Sequence, residues 1–349
     1  MRSAFLYGPR DIRVETVTDA EPGPGSVLLE VTAVGICGSD LHTYLFGNVG
    51  GVAPEQPLTL GHEAAGIVLA TGPGVEGDLQ VGQRVAIDPA IACGVCERCL
   101  AGDPHLCERL MFMGLYPYHG ALRQRMLYPA KTCVPVPDTI TDIGAAMLEP
   151  LGVALHAIRL AQIQVGDDVA VIGCGAIGLL LVRLARLAGA RRIFAADRYA
   201  WRLALAANYG ADLLLKADEV DVVQEVMRVS GRRGVDVAIE AAWADATANQ
   251  CVEMARHGGR VVIVGIPVED FITFRASAAR RKELAILSSR RMKHTYPAAI
   301  ALAQERKVDL DALASHTFTL EETLTAFETA ATYTDEVIRA IVLPNDLSR

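Results

Sequence analysis

"VAVIGCGAIG", residues 169–178, runs an apolar strand directly into three closely spaced glycines. The residues that follow, "AIGLLLVRLARLAGA", repeat apolar side chains at helical spacing, so the stretch reads as strand, tight turn and helix. In that setting Gly173, Gly175 and Gly178 have a mechanical meaning. Glycine permits the turn, and bare backbone lets a pyrophosphate approach the positive end of the helix. Asp197 ends the next apolar strand, "RRIFAAD", nineteen residues beyond Gly178. Its carboxylate can accept hydrogen bonds from the ribose hydroxyls of an adenosine and would repel a 2′-phosphate, which predicts NAD rather than NADP. Arg198 is ambiguous, since a guanidinium there can stack on adenine or attract that phosphate. A purely structural glycine turn with a surface Asp is the bland alternative.

Working outward, "WRLALAANYGAD" (201–212) reads as a helix, and "GVDVAIEAA" (234–242) and "GRVVIVGI" (259–266) as further strands. Alternating strand and helix predicts a parallel sheet with helices on both faces. Before residue 150 the text differs: "SVLLEVTAVGI", "AAGIVLA" and "RVAIDP" are short β-type runs punctuated by Gly and Pro. From about residue 289 helix and short strand mix again. A length of 349 residues agrees with two domains.

The net charge of −8 argues against a nucleic-acid surface, and the basic run at 280–282 is expected to be solvated. The apolar run Val169–Val182 is too short for a membrane span, and "MRSAFLYGPRDIRVE" at the N-terminus has no secretory core. A cytoplasmic protein is expected, in which thiols stay reduced.

That expectation bears on "CGVCERCLAGDPHLC", residues 93–107, which holds four of the eight cysteines. Cys93, Cys96 and Cys99 are spaced by two residues each, and Cys107 follows. Such spacing converges four thiolates on one point, completing a tetrahedral shell with no open position, which predicts a structural zinc. An iron–sulfur cluster and disulfides are the alternatives. Upstream, "GICGSDLH" supplies Cys37, Ser39, Asp40 and His42, "LGHEAAG" supplies His62 and Glu63, and "LEPLG" supplies Glu149. One thiolate, one imidazole and carboxylates suit a second, catalytic zinc with an open position.

In this order the motifs resemble the zinc-dependent medium-chain alcohol dehydrogenases, and most of all their polyol branch, the sorbitol dehydrogenase type. The resemblance implies an α/β fold in which a doubly wound Rossmann domain (153–288) is inserted in a mostly-β, GroES-like catalytic domain (1–152 and 289–349). It implies two zinc ions per chain and assigns Cys37, His62 and Glu63 to the catalytic one, with Glu149 reaching the metal directly or through a water. Ser39 and His42 match the family's proton relay. Arg202 and Ile177 match cofactor positions beside Asp197; Val264, Gly265, Ile266, Ser289 and Arg291 match the nicotinamide end, and Arg291 also a substrate contact. The implied reaction moves a hydride from a secondary alcohol of a polyol or sugar alcohol to NAD, giving a ketose, in a homo-dimer or homo-tetramer. Thr43 and Met292 stand where sorbitol dehydrogenases place tyrosines, so another polyol is as much expected as sorbitol. Rival expectations are L-threonine 3-dehydrogenase-like or glucose dehydrogenase-like activity, and a non-catalytic zinc- and nucleotide-binding protein.

Overall fold

A computed structural model describes residues 1–75, 77, 79–267 and 271–345. The chain forms two compact units, Met1–Pro150 with Tyr296–Arg349, and Leu151–Thr295.

In the second unit, six parallel strands lie side by side in the order third, second, first, fourth, fifth, sixth. The first is Asp168–Ile172, every residue of which is buried; Arg192–Asp197 and Val235–Glu240 flank it. Continuous burial is what a strand covered on both faces requires, which explains the unbroken apolar text. Helices Ala176–Leu187, Ala200–Tyr209, Val222–Val229 and Asp245–Met254 alternate with the strands, as expected for this strand order. At the N-terminal ends of the central strands, Asp168 takes Arg191 and Arg192, at 2.8 and 2.5 Å. Asp236 takes Arg233 and Arg256 at 2.6 and 2.5 Å, and accepts the Asp168 amide. The basic run at 280–282 is not wholly solvated as expected. The Lys282 ammonium donates to the carbonyls of Val252, Glu253 and Ala255, where the helix Asp245–Met254 ends and its last carbonyls need donors.

The first unit is built on a seven-stranded sheet. Its central strand, Ser26–Gly35, pairs antiparallel with Glu63–Thr71, with Arg125–Pro129 and with Arg339–Leu343. Its first half alternates buried and half-buried residues; from Val31 to Gly35 all are buried. That fully buried end is where the chemistry-bearing residues gather. Gly35 stands opposite both Glu63 and Ile341. A Cβ on Gly35 would lie 2.3 Å from Glu63 Oε2 and 2.6 Å from Met147 Cε, so a side chain there would push the Glu63 carboxylate out of its place.

Candidate metal centres and cofactor turn

Just past that strand end, Cys37 precedes the helix Gly38–Phe46. Asp40 in the first turn accepts the Cys37 amide on Oδ2 (3.0 Å) and the Gly61 amide on Oδ1 (3.1 Å). The same Oδ1 lies 3.3 Å from His62 Nδ1. One buried carboxylate therefore ties the Cys37 loop to the His62 loop and orients the ring, leaving Nε2 as the nitrogen a metal can take. Ser39 Oγ is 3.5 Å from that Nε2. Burial pulls the His62 ring down, but Asp40 and Cys37 outweigh it and hold the ring well above its usual value. A cation binding there displaces that proton. On the other side Phe112 packs its ring 5.2 Å from the His62 ring.

Glu63 is buried, and its Oε1 lies 3.3 Å from Nη2 of the equally buried Arg339, whose Nη1 donates to the Ile36 carbonyl. Glu149, in the first turn of the helix Leu148–Ala161, is buried as well. Burial is the main cause that pushes its carboxyl up to about 8; His62 opposes this and Glu63 adds to it. His42 is buried in the same helix as Ser39, its ring edge-on to Phe46 at 5.8 Å, and burial lowers its pKa.

The four cysteines of the 93–107 loop are drawn tighter. Their sulfurs lie within 4.8 Å of one another, with Cys96–Cys99 at 3.5 Å, Cys96–Cys107 at 3.8 Å and Cys93–Cys99 at 4.0 Å. Zinc–sulfur bonds of ~2.3 Å require tetrahedral edges of ~3.8 Å, so this set fits a closed zinc shell. All eight cysteines are unbridged. Among the described residues this is the one group of three or more Cys, His, Asp or Glu gathered so closely. Cys37, half-buried, and the buried His62, Glu63 and Glu149 are not brought to that spacing, Glu63 being engaged by Arg339.

In the second unit, Gly173 adopts φ +94, and a Cβ on Gly178 would meet the Gly173 carbonyl at 1.8 Å. Gly175 faces open space, with no atom within 4 Å of where its Cβ would stand. Two glycines are thus consumed by the turn and the third presents a bare cradle, which fits a pyrophosphate. Asp197 accepts the amides of Cys174 (2.8 Å) and Tyr199 (2.9 Å), and Arg202 lies 3.8 Å away, stacked near Tyr199 and Trp201. Arg198 is exposed, its guanidinium 5.7 Å from the Tyr199 ring. Ile177 is half-buried in the first turn of the helix.

The Val264 amide donates to the Glu240 carbonyl, Gly265 to Glu240 Oε2 at 3.1 Å, and Ser289 to the Ile263 carbonyl. Ile266 is exposed, and Arg291 is half-buried at φ +56.

Family models for an alcohol dehydrogenase GroES-like domain and for a zinc-binding dehydrogenase match residues 23–138 and 176–305. The chain is 34% identical to a sorbitol dehydrogenase of Bacillus subtilis (strain 168), over 99% of this chain and 98% of that one. The chain belongs to the zinc-dependent alcohol dehydrogenases, in their sorbitol dehydrogenase-like group. Two solved structures align over almost the whole of both chains. A zinc-binding dehydrogenase from Sinorhizobium meliloti 1021 bound to NADP has TM-score 0.90 and 33% identity, covering 98% of this chain and 99% of its own. An alcohol dehydrogenase from E. coli CFT073 complexed with NADH has TM-score 0.91 and 28% identity, covering 99% of each. Among the described residues of this dehydrogenase no helix is long and apolar enough to cross a membrane.

Three participants escape a reading of the sequence of this dehydrogenase. Arg339 lies in an apolar strand far from Glu63 in the chain, and Phe112 carries no motif. Glu240 is visible only as a carboxylate ending an apolar strand. Buried, it accepts Ala242 N and Thr247 Oγ1 on Oε1 and Gly265 N on Oε2, fixing the loop that carries Val264 and Gly265.

Proposed function

We propose that this dehydrogenase oxidises a secondary alcohol of a polyol or sugar alcohol to a ketose, with NAD as acceptor. Cys37 and His62, with Glu63 or Glu149, would hold the catalytic zinc, and Cys93, Cys96, Cys99 and Cys107 a structural one. A zinc in that shell supplies Lewis acidity toward the alcohol oxygen, and the nicotinamide supplies the hydride acceptor. The protein's own part is to orient and to move a proton. Asp40 sets the His62 ring, and Ser39 Oγ beside it accepts the hydroxyl proton, since a hydroxyl can accept and donate in turn. His42, three residues further on the same helix and kept neutral at pH 7 by burial, takes the proton onward. Asp197 receives the ribose hydroxyls, and Ile177, Arg202, Val264, Gly265, Ile266, Ser289 and Arg291 complete the cofactor contacts.

The single observation that carries this reading is the Asp40–His62 pair with Ser39 Oγ 3.5 Å from the free side of the ring, a proton acceptor that a structural metal site does not need. The test is reduction of NAD and of NADP with stereoisomeric polyols, L-threonine and aldoses. The reading requires turnover on a polyol with NAD; turnover confined to threonine or an aldose, or none at all, refutes it. A homo-dimer or homo-tetramer in the cytoplasm goes with the proposal, and sedimentation and cell fractionation check it.

A further inference from the structure

A cavity of about 350 Å³ opens in the first unit between the Met111–Phe112 strand and the Arg125–Pro129 strand. That volume lies in the range of ~300–1,000 Å³ typical of small-molecule sites. Its walls are soft and apolar: Met111, Met113, Met126 and Tyr118. Arg123 and His119 interrupt them. Among the described residues Arg123 is the one Lys or Arg in the lining, and no Asp or Glu lines it. Arg123 Nε is buried without a hydrogen-bond partner among the described residues, and no ion pair to the side chain is present among them. The nearby acid Asp19 is taken by Arg125 and the N-terminal ammonium. Burial brings the Arg123 guanidinium down to about 10, so it stays charged at neutral pH. His119 accepts the Thr59 amide on Nδ1 (3.2 Å), so its neutral ring carries the proton on Nε2 as a donor.

A partly desolvated, uncompensated cation in an apolar cavity is costly unless an anion meets it. We infer that this cavity is a binding site for a small monocarboxylate with an apolar body, its carboxylate on Arg123 and its body among the methionines. One guanidinium balances one negative charge and matches a carboxylate in bidentate geometry, whereas a phosphate dianion would bring a second, unanswered charge. Methionine walls adapt to a flexible aliphatic body. The site is distinct from the Cys37 cluster, although Phe112 borders both.

The probe is octanoate, with octanol as its uncharged counterpart, titrated calorimetrically into the zinc-loaded protein. Saturable octanoate binding is expected, weakened roughly tenfold or more in Arg123→Met because a charge-assisted pair is lost, and unchanged in Cys37→Ala. Octanol should bind no better to the wild type than to Arg123→Met. Leu127→Glu places an acid at the exposed rim of the cavity, and it should also abolish octanoate binding, which keeps the test decisive if Arg123→Met folds poorly. Absence of saturable binding overturns the assignment. So does binding lost in Cys37→Ala but kept in Arg123→Met, which would seat octanoate at the catalytic metal. A fall in oligomeric mass in Arg123→Met, with no octanoate binding to the wild type, overturns it too, since an acid of a second copy would then answer the cation.

Discussion

Glu63 Oε1 and Arg339 Nη2 stand 3.3 Å apart with both side chains at most 7% exposed. A buried carboxylate so close to a guanidinium is not a simple metal ligand: its charge is shared between the cation the protein carries and any it binds. Arg339→Leu therefore leaves an uncompensated anion, costing about 3–5 kcal/mol. The loss should be larger after chelation than with zinc present, because the metal offsets part of the charge. Urea midpoints of wild type and variant, with and without chelator, measure this; an equal loss in both states would separate Arg339 from the metal site.

The two glutamates should divide in zinc content. Burial favours a protonated Glu149, which makes it the poorer permanent ligand of the two. Elemental analysis should find about two zinc ions per wild-type chain, falling to about one in Glu63→Ala. Glu149→Ala should keep most of its zinc yet lose turnover by about 10–100-fold, as supports of a metal site commonly do. The reverse pattern would make Glu149 the permanent ligand.

Cys96→Ser removes one corner of the sulfur tetrahedron. One zinc per chain should be lost, with a lower melting temperature, while the KM of the remaining folded enzyme stays near wild type. Full zinc content in that variant would rule out a closed four-sulfur site.

Asp197 accepts the amides of Cys174 and Tyr199, one on each oxygen, so it shapes the glycine turn besides the ribose contact proposed for it. Asp197→Ala should raise the KM for NAD and shift the ratio of kcat/KM for NADP over NAD upward by roughly tenfold or more, removing about 1.4 kcal/mol of discrimination. A wild type that already prefers NADP would show that Arg198 outweighs the carboxylate.

Acid should find the Asp236 network. Burial alone would raise this carboxyl, but hydrogen bonds from Arg233 and Arg256 outweigh it and hold the group well below the usual range. A folded-state value below the unfolded one means the stabilisation is complete above pH ~4 and fades as pH falls toward the folded value. Asp236→Asn should cost about 1–3 kcal/mol at pH 7, and its urea midpoint should converge on that of the wild type as pH falls below ~4. A difference that stays constant with pH would contradict the charge argument.

Much of the architecture is legible in residues close together in the chain. Gly173 to Gly178 with Asp197, and the cysteines of 93–107, act within a few dozen residues of one another, so their spacing carries their meaning. Arg339 and Glu63 meet only because their strands both pair with Ser26–Gly35, and the sequence has no local mark of that pairing. Lys282 is misread for a similar reason: a basic run resembles a solvated face until a helix end arrives to be capped. The Asp40 hub lies between these cases, since "GICGSDLH" marks it among the chemistry-bearing residues while its Gly61 and His62 contacts emerge only in three dimensions.

The order in which a ribosome releases this chain sets when the metal site can be finished. Cys37, His62, Glu63 and Glu149 have all been synthesised by residue 150, yet the strand Arg339–Leu343, which brings the counter-charge of Glu63, is the last of the described strands. At roughly 5–20 residues per second the interval is about 10–40 s, during which an entire nucleotide-binding unit is synthesised. Through that time the nascent site holds an unbalanced acid on an incomplete sheet edge. A zinc site at Cys37 and His62 would therefore be completed only once the Arg339 strand has joined the sheet, whereas the four-cysteine loop, self-contained within residues 93–107, could load while translation continues.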